Sequence, residues 1–231
     1  CSEITLPTGI DKDGRDRTAV CCLSSLNLEK YDEWKDDPDM LNDVMRFLDN
    51  VLSDFIKRAP DQFSDATYAA EKERSVGLGV MGFHSFLQKN NIPLESVMSK
   101  AWNKKIFKKI QEGVDQASKD LADERGACPD AAEYGFNERF SNKTAIAPTA
   151  SISVICGGAS PGVEPVAANS YTHKTLSGSF NVRNRYLIEV LENHGKNTDE
   201  VWSTITNNQG SVSHLDFLTA LEKDVFKTAF E

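Results

Sequence analysis

The spacing of apolar positions divides the chain into stretches of different period. Between Asp39 and Arg58, the residues Met40, Leu41, Val44, Phe47, Leu48, Val51, Leu52 and Phe55 recur every three or four positions, the period of a helix with one buried face. Pro38 stands at its entry and Pro60 just past its exit, where proline starts or stops a helix. The same period predicts helices over 63–74, 80–89 and about 95–124, the last closed by Gly126 with Pro129 beyond it. Further helices are predicted near 183–193, 199–206 and 214–221, and the closing FLTALEKDVFKTAFE reads as helical to its last residue. Alternating apolar and polar residues predict short strands over 3–6 and 18–23, on either side of the turn-rich GIDKDGRDR, and another near 168–174. The stretch 143–165 is rich in Ala, Ser, Gly and Pro and reads as a buried strand over 145–147, reaching Pro148, and a loop. There is no repeat, low-complexity tract or clear linker, so the expectation is a single α/β domain over 1–231.

Composition narrows the function classes. The 231 residues are 39% hydrophobic, enough for a substantial core. Lys and Arg number 26 against 35 Asp and Glu, a net charge of -9, and no basic cluster interleaved with aromatics offsets that field, which argues against duplex nucleic acid as a partner. A small anion is still accommodated, because backbone N–H groups hold phosphate locally. No apolar run approaches the ~20 residues of a membrane span, and no signal peptide opens the chain, so the expected location is the cytoplasm. The five cysteines, Cys1, Cys21, Cys22, Cys128 and Cys156, form no CxxC pair, and the four histidines show no HxxxH or HExxH spacing, so reduced thiols and no metal site are expected.

Four stretches carry candidate chemistry. CSEI places the thiol of Cys1 two residues from the carboxylate of Glu3, on the same face if the segment is extended. AVCCLSSLNL sets Cys21 beside Cys22; on a strand the two face opposite ways, so only one shares a space with Cys1. SVGLGVMGF holds Gly77, Gly79 and Gly82 in a G-x-G-x-x-G pattern, but a charged helical stretch precedes it where a dinucleotide turn needs a hydrophobic strand, and close helix packing through small residues is the better account. In KTAIAPTASISVICGGASPGVEP the hydroxyls of Thr149, Ser151 and Ser153 follow the predicted strand, as a phosphate-holding turn or as a tightly packed Ser/Gly loop.

Taken in order, CSEI, AVCCLSSLNL, ERSVGLGVMGF, ERGACP and APTASIS with GVEP resemble the catalytic large subunit of ribonucleotide reductase, most closely its class I form. The resemblance implies part of a ten-stranded α/β barrel. It implies that Cys1 becomes the thiyl radical that removes the 3′ hydrogen of a ribonucleotide, that Glu3 is the general base at the 3′ hydroxyl, and that Cys21 is one of two reducing cysteines. Ser2 and the run Pro148, Thr149, Ala150, Ser151 and Ile152 are implied in substrate binding, the run by holding phosphates. No cofactor is expected on this segment. The radical is expected from a metal-containing small subunit, with adenosylcobalamin the alternative, and the reducing electrons from thioredoxin or glutaredoxin.

The implied partners are a ribonucleotide, the small subunit and the rest of the large subunit. The unpreceded Cys1 and the uncapped last helix read as an internal piece of a longer polypeptide, with Cys1 a candidate splice junction. Two rivals are a non-catalytic assembly fragment that binds phosphate or a complementary reductase chain, and a cysteine-nucleophile hydrolase.

Overall fold

The computed structural model describes residues 3–175 and 178–231, so Cys1 and Ser2 lie outside the described residues. In chain order the elements are β1 (Gly9–Ile10), β2 (Asp16–Arg17), β3 (Leu23–Asn27), α1 (Tyr31–Trp34), α2 (Met40–Arg58) and α3 (Ser64–Glu73). There follow β4 (Gly77–Met81), α4 (Phe83–Lys89), α5 (Val97–Arg125), α6 (Pro129–Glu133) and α7 (Ile152–Ile155). The chain continues with β5 (Ser170–Thr175), β6 (Gly178–Arg183), α8 (Arg185–Asn193), α9 (Asp199–Asn207) and α10 (Ala220–Val225). The molecule is helix-rich α/β, and its described strands pair as β1 with β2, β3 with β4, and β5 with β6. Among the described residues, no helix is long and apolar enough to cross a membrane. The residues group into two compact units, one of 1–26, 32–80 and 104–148, the other of 27–31, 81–103 and 149–231.

In the first unit α2 forms where its period places it, but of the eight predicted apolar positions Phe47 and Val51 are exposed and Met45 is buried in addition. Leu41, Met45, Leu48 and Leu52 are buried along one face, each worth about 1.5–3 kcal/mol of transfer free energy. The G-x-G-x-x-G stretch is a strand here and neither a nucleotide turn nor a helix. A methyl group on Gly79 would lie 2.0 Å from the Ala145 carbonyl oxygen, and one on Gly77 2.7 Å from the Ala145 side chain. The glycines let β4 lie against the extended segment 143–145, with Leu78 N–H donating to Lys143 O (2.9 Å) and Ala145 N–H to Leu78 O (3.2 Å).

Other boundaries move for identifiable reasons. The predicted strand 3–6 forms no ladder among the described residues. Its neighbour over 18–23 starts later, at Leu23, because Thr18 N–H donates to Asp65 O on α3 instead of to a strand. The GIDKDGRDR loop closes as the β1–β2 pair, its Asp11 carboxylate accepting from Arg17 Nε (3.0 Å) and Tyr68 OH (2.8 Å).

In the second unit the predicted helix 80–89 begins only at Phe83, after Gly82 turns the chain with φ +77°. Helix 214–221 is displaced to α10, because Thr219 and Glu222 form a reciprocal capping box that starts it there. The closing helix stops at Val225: Phe226 O accepts from Asn169 Nδ2 and Ala229 N–H donates to Val166 O, which draws the chain away. β6 was hidden in the sequence between a predicted strand and a predicted helix; it pairs with β5 in antiparallel register, Tyr171 facing Val182. The core of this unit is Leu187, Leu191, Trp202, Ile205, Val212, Leu215, Leu218, Val225 and Phe226.

Candidate functional site

The thiol stretch belongs to the first unit. Cys21 sits in the irregular residues before β3 and is exposed, whereas Cys22 is half-buried with its Sγ 4.0 Å from the Leu48 carbonyl of α2. The two neighbours therefore differ as adjacent extended residues should, one open and one packed. The backbone is held here by Gly77 N–H, which donates to Cys22 O at 2.9 Å. Partial burial and then the negative charge of Glu3 push the Cys21 thiol up. Glu3, half-buried in a bend, is thus within electrostatic reach of Cys21. Cys22 and Cys128 are also pushed up, in both cases first by burial.

The hydroxyl-rich loop belongs, from Thr149 on, to the second unit. Thr149 adopts φ +55°, a left-handed conformation that a β-branched residue enters only under strain. It is held there because its buried Oγ1 accepts from Gly162 N–H at 2.8 Å, closing the loop on itself. Ser153 N–H then donates to Thr149 O, and α7 begins. Ser151, the residue before α7, makes no side-chain cap, and its hydroxyl is exposed. Among the described residues, the backbone N–H groups of Ala150, Ser151 and Ile152 take no protein acceptor, as the open start of a helical turn requires.

Beyond α7 the loop is docked on α4. Ser85 N–H donates to Ser160 Oγ (3.1 Å), Ser160 N–H donates to Ser85 Oγ (2.9 Å), and Gly82 N–H donates to Ser160 O (2.7 Å). This reciprocal serine pair was not legible beforehand, since 75 residues separate its members. Pro148 and Ala150 are exposed.

Three histidines have other occupations. His84 is buried, which lowers it to about 4, and its Nδ1 accepts from Val166 N–H at 3.1 Å. His194 meets Glu222 (2.9 Å) and His214 meets Thr204 (3.0 Å). Among the described residues, no three His, Cys, Asp or Glu side chains converge to hold a metal ion.

Comparison with known proteins gives a consistent picture. A family model described as the barrel domain of ribonucleotide reductase matches residues 1–138 and 130–231. The chain is 51% identical over 235 residues to the ribonucleoside-diphosphate reductase large subunit of Invertebrate iridescent virus 6, covering 100% of this chain and 24% of that one. It is 31% identical over 220 residues to the vitamin B12-dependent ribonucleoside-diphosphate reductase of Mycobacterium tuberculosis, covering 91% and 31%. The solved Actinobacillus ureae class Id ribonucleotide reductase alpha subunit superposes with a TM-score of 0.86 at 40% identity, over 99% of this chain and 41% of that one. The chain thus spans less than half the length of each of these relatives.

Proposed function

The chain belongs to the family of the ribonucleotide reductase barrel domain, and on that premise we propose that it is the catalytic segment of a ribonucleoside-diphosphate reductase. In this reading Cys1, as a thiyl radical, takes the 3′ hydrogen of a ribonucleotide, and Glu3 takes the 3′ hydroxyl proton as the 2′ hydroxyl leaves as water. Cys21 and a second thiol outside this chain supply two electrons and two protons and end as a disulfide. Cys1 then returns its hydrogen to C3′ and is a radical again. The overall change is one C–OH reduced to C–H, one dithiol oxidised to a disulfide, and one water released.

The loop from Pro148 through Thr149, Ala150, Ser151 and Ile152 holds the diphosphate, the N–H groups of Ala150, Ser151 and Ile152 and the Ser151 hydroxyl being free to donate. Ser2 assists in substrate binding. The observation that carries the reading is the match to the ribonucleotide reductase barrel-domain family over residues 1–138 and 130–231, and the charge of Glu3 acting on the exposed Cys21 thiol is consistent with it.

The radical is supplied by a metal-containing small subunit; adenosylcobalamin is the alternative, since some relatives are named vitamin B12-dependent. Thioredoxin or glutaredoxin restores the thiols, and the enzyme works in the cytoplasm. The test is deoxyribonucleotide formation by a polypeptide of the relatives' length that carries this chain, with a small subunit in one arm and adenosylcobalamin in the other. Replacing Cys1 or Cys21 by serine abolishes multiple turnover. Product formation that survives Cys1→Ser sinks the reading and leaves a non-catalytic role in assembly.

A further inference from the structure

We propose that Arg185 is a positioning residue for the loop of residues 149–158, fixing it through the Gly157 carbonyl against the buried carboxylate of Glu29. Arg185 opens α8, and its Nη2 donates both to Gly157 O (2.5 Å) and to Glu29 Oε2 (3.3 Å). Glu29 is 5% exposed and is itself held firmly. Its Oε1 accepts from Tyr186 OH (2.9 Å), its N–H donates to Asn27 Oδ1 (3.0 Å), and its carbonyl accepts from Lys89 Nζ (3.2 Å). Arg185 also lies over the Tyr186 ring, 5.7 Å from its centroid. The guanidinium is thus a bracket between a fixed carboxylate and a loop carbonyl.

The point it grips is the glycine joint of the loop. Gly157 and Gly158 have φ +91° and +79°, a left-handed pair that terminates α7 and has no side chains to restrain it. Gly158 N–H returns to Ser153 O and Val154 O, so holding Gly157 also holds the turn whose open N–H groups begin at Ala150. Residues 149–165 contain no cation and one acid, Glu164, and Arg185 brings a cation to the loop through Gly157 O.

The proposal rests on the phosphate-binding reading of the loop, and its test separates the two. In a full-length polypeptide carrying this chain, hydrogen exchange of the amides of 153–159 is followed without ligand, and inorganic pyrophosphate serves as the binding probe. Arg185→Ala is expected to speed exchange there about tenfold and to weaken pyrophosphate about five- to tenfold, raising KM for a ribonucleoside diphosphate similarly while kcat stays within about twofold. Arg185→Lys recovers only part of both effects, because the two N–H groups of Nη2 are fixed in the guanidinium plane toward their acceptors, whereas an ammonium is a rotating point charge on a flexible stem. Unaltered exchange in Arg185→Ala overturns the bracket whatever the ligand result. Faster exchange with undiminished pyrophosphate affinity reduces Arg185 to a structural tie and overturns its positioning role. Wild-type protein that binds no pyrophosphate overturns the phosphate reading itself, and the positioning role with it.

Discussion

Asp49, wholly buried in α2, receives Arg74 on Oδ1, with Arg74 Nη2 2.6 Å away and Nε 2.8 Å away. Two more guanidinium groups converge on the same carboxylate: Arg125 Nη1 at 2.8 Å, and Arg139 through Nε at 2.9 Å and Nη2 at 3.2 Å. Burial alone raises Asp49, but the hydrogen bonds from Arg139 and Arg125 and the field of Arg74 outweigh it and hold the carboxyl below its ordinary value. The group joins α2 to the end of α3, the end of α5 and the segment after α6. Asp49→Asn leaves three cations around a neutral amide and is expected to cost about 3–5 kcal/mol of stability, read by denaturant unfolding. The sign with pH follows from the lowered value: the stabilisation is complete above the ordinary aspartate range and is lost as acid protonates Asp49. A loss under about 1 kcal/mol would show that the three arginines find other partners.

Glu73 presents the opposite case. It is buried, Ser75 Oγ donates to its Oε2 at 2.8 Å, and its Oε1 has no hydrogen-bond partner among the described residues. Burial, the largest cause, pushes its carboxyl up. A raised folded value means stability that is whole at low pH and declines as pH rises through the folded value. Glu73→Gln replaces the orphan charge by a neutral group of the same shape and is expected to stabilise the protein by about 1 kcal/mol at pH 7 and by nothing near pH 3. Thermal melts of the two proteins at both pH values decide it.

His84 sets a third pH dependence. The imidazole is neutral and accepts from Val166 N–H, and burial lowers it from 6.5 to about 4. Between those two values the unfolded chain binds a proton that the folded chain does not, so stability falls as pH drops from 6.5 toward 4, by about 3 kcal/mol at the limit. His84→Asn keeps an acceptor for Val166 and removes the titration. Its stability should be flatter than wild type across that interval, and an identical slope in the two proteins rules the histidine out as the cause.

How far these features were legible depends on the range of the interaction. Helix α2 was readable because its period, Pro38 and Pro60 are all local, and the position of α5 followed from Gly126 in the same way. The nature of β4 was not, because what requires Gly77 and Gly79 is the backbone of Ala145, more than sixty residues away in sequence. The end of α10 was missed for the same reason, its competitors being Asn169 and Val166. At the candidate site the residue types were legible in order along the chain, whereas the strained φ of Thr149, the Ser85–Ser160 pair and the Arg185 bracket exist only after folding. Gly79→Ala makes the point measurable. Its methyl group meets a carbonyl oxygen that belongs to a backbone and cannot swing aside, so a loss of about 2–4 kcal/mol is expected.

The relation between Glu3 and Cys21 can be probed without turnover. The thiolate, and not the thiol, reacts with an alkylating agent, so the rate at fixed pH follows the fraction ionised. Burial and then the charge of Glu3 hold that fraction down at Cys21. Glu3→Gln removes the charge and leaves the shape, and is expected to speed alkylation of Cys21 by about two- to threefold at pH 8. Cys128, fully buried, should stay unlabelled in both proteins and report that the fold is intact. Salt supplies a second check: an electrostatic effect acting through partly exposed groups shrinks as ionic strength rises, so wild type and Glu3→Gln should converge near 1 M salt. If their rates are already equal in dilute buffer, Glu3 does not act on this thiol, and burial alone accounts for its raised value.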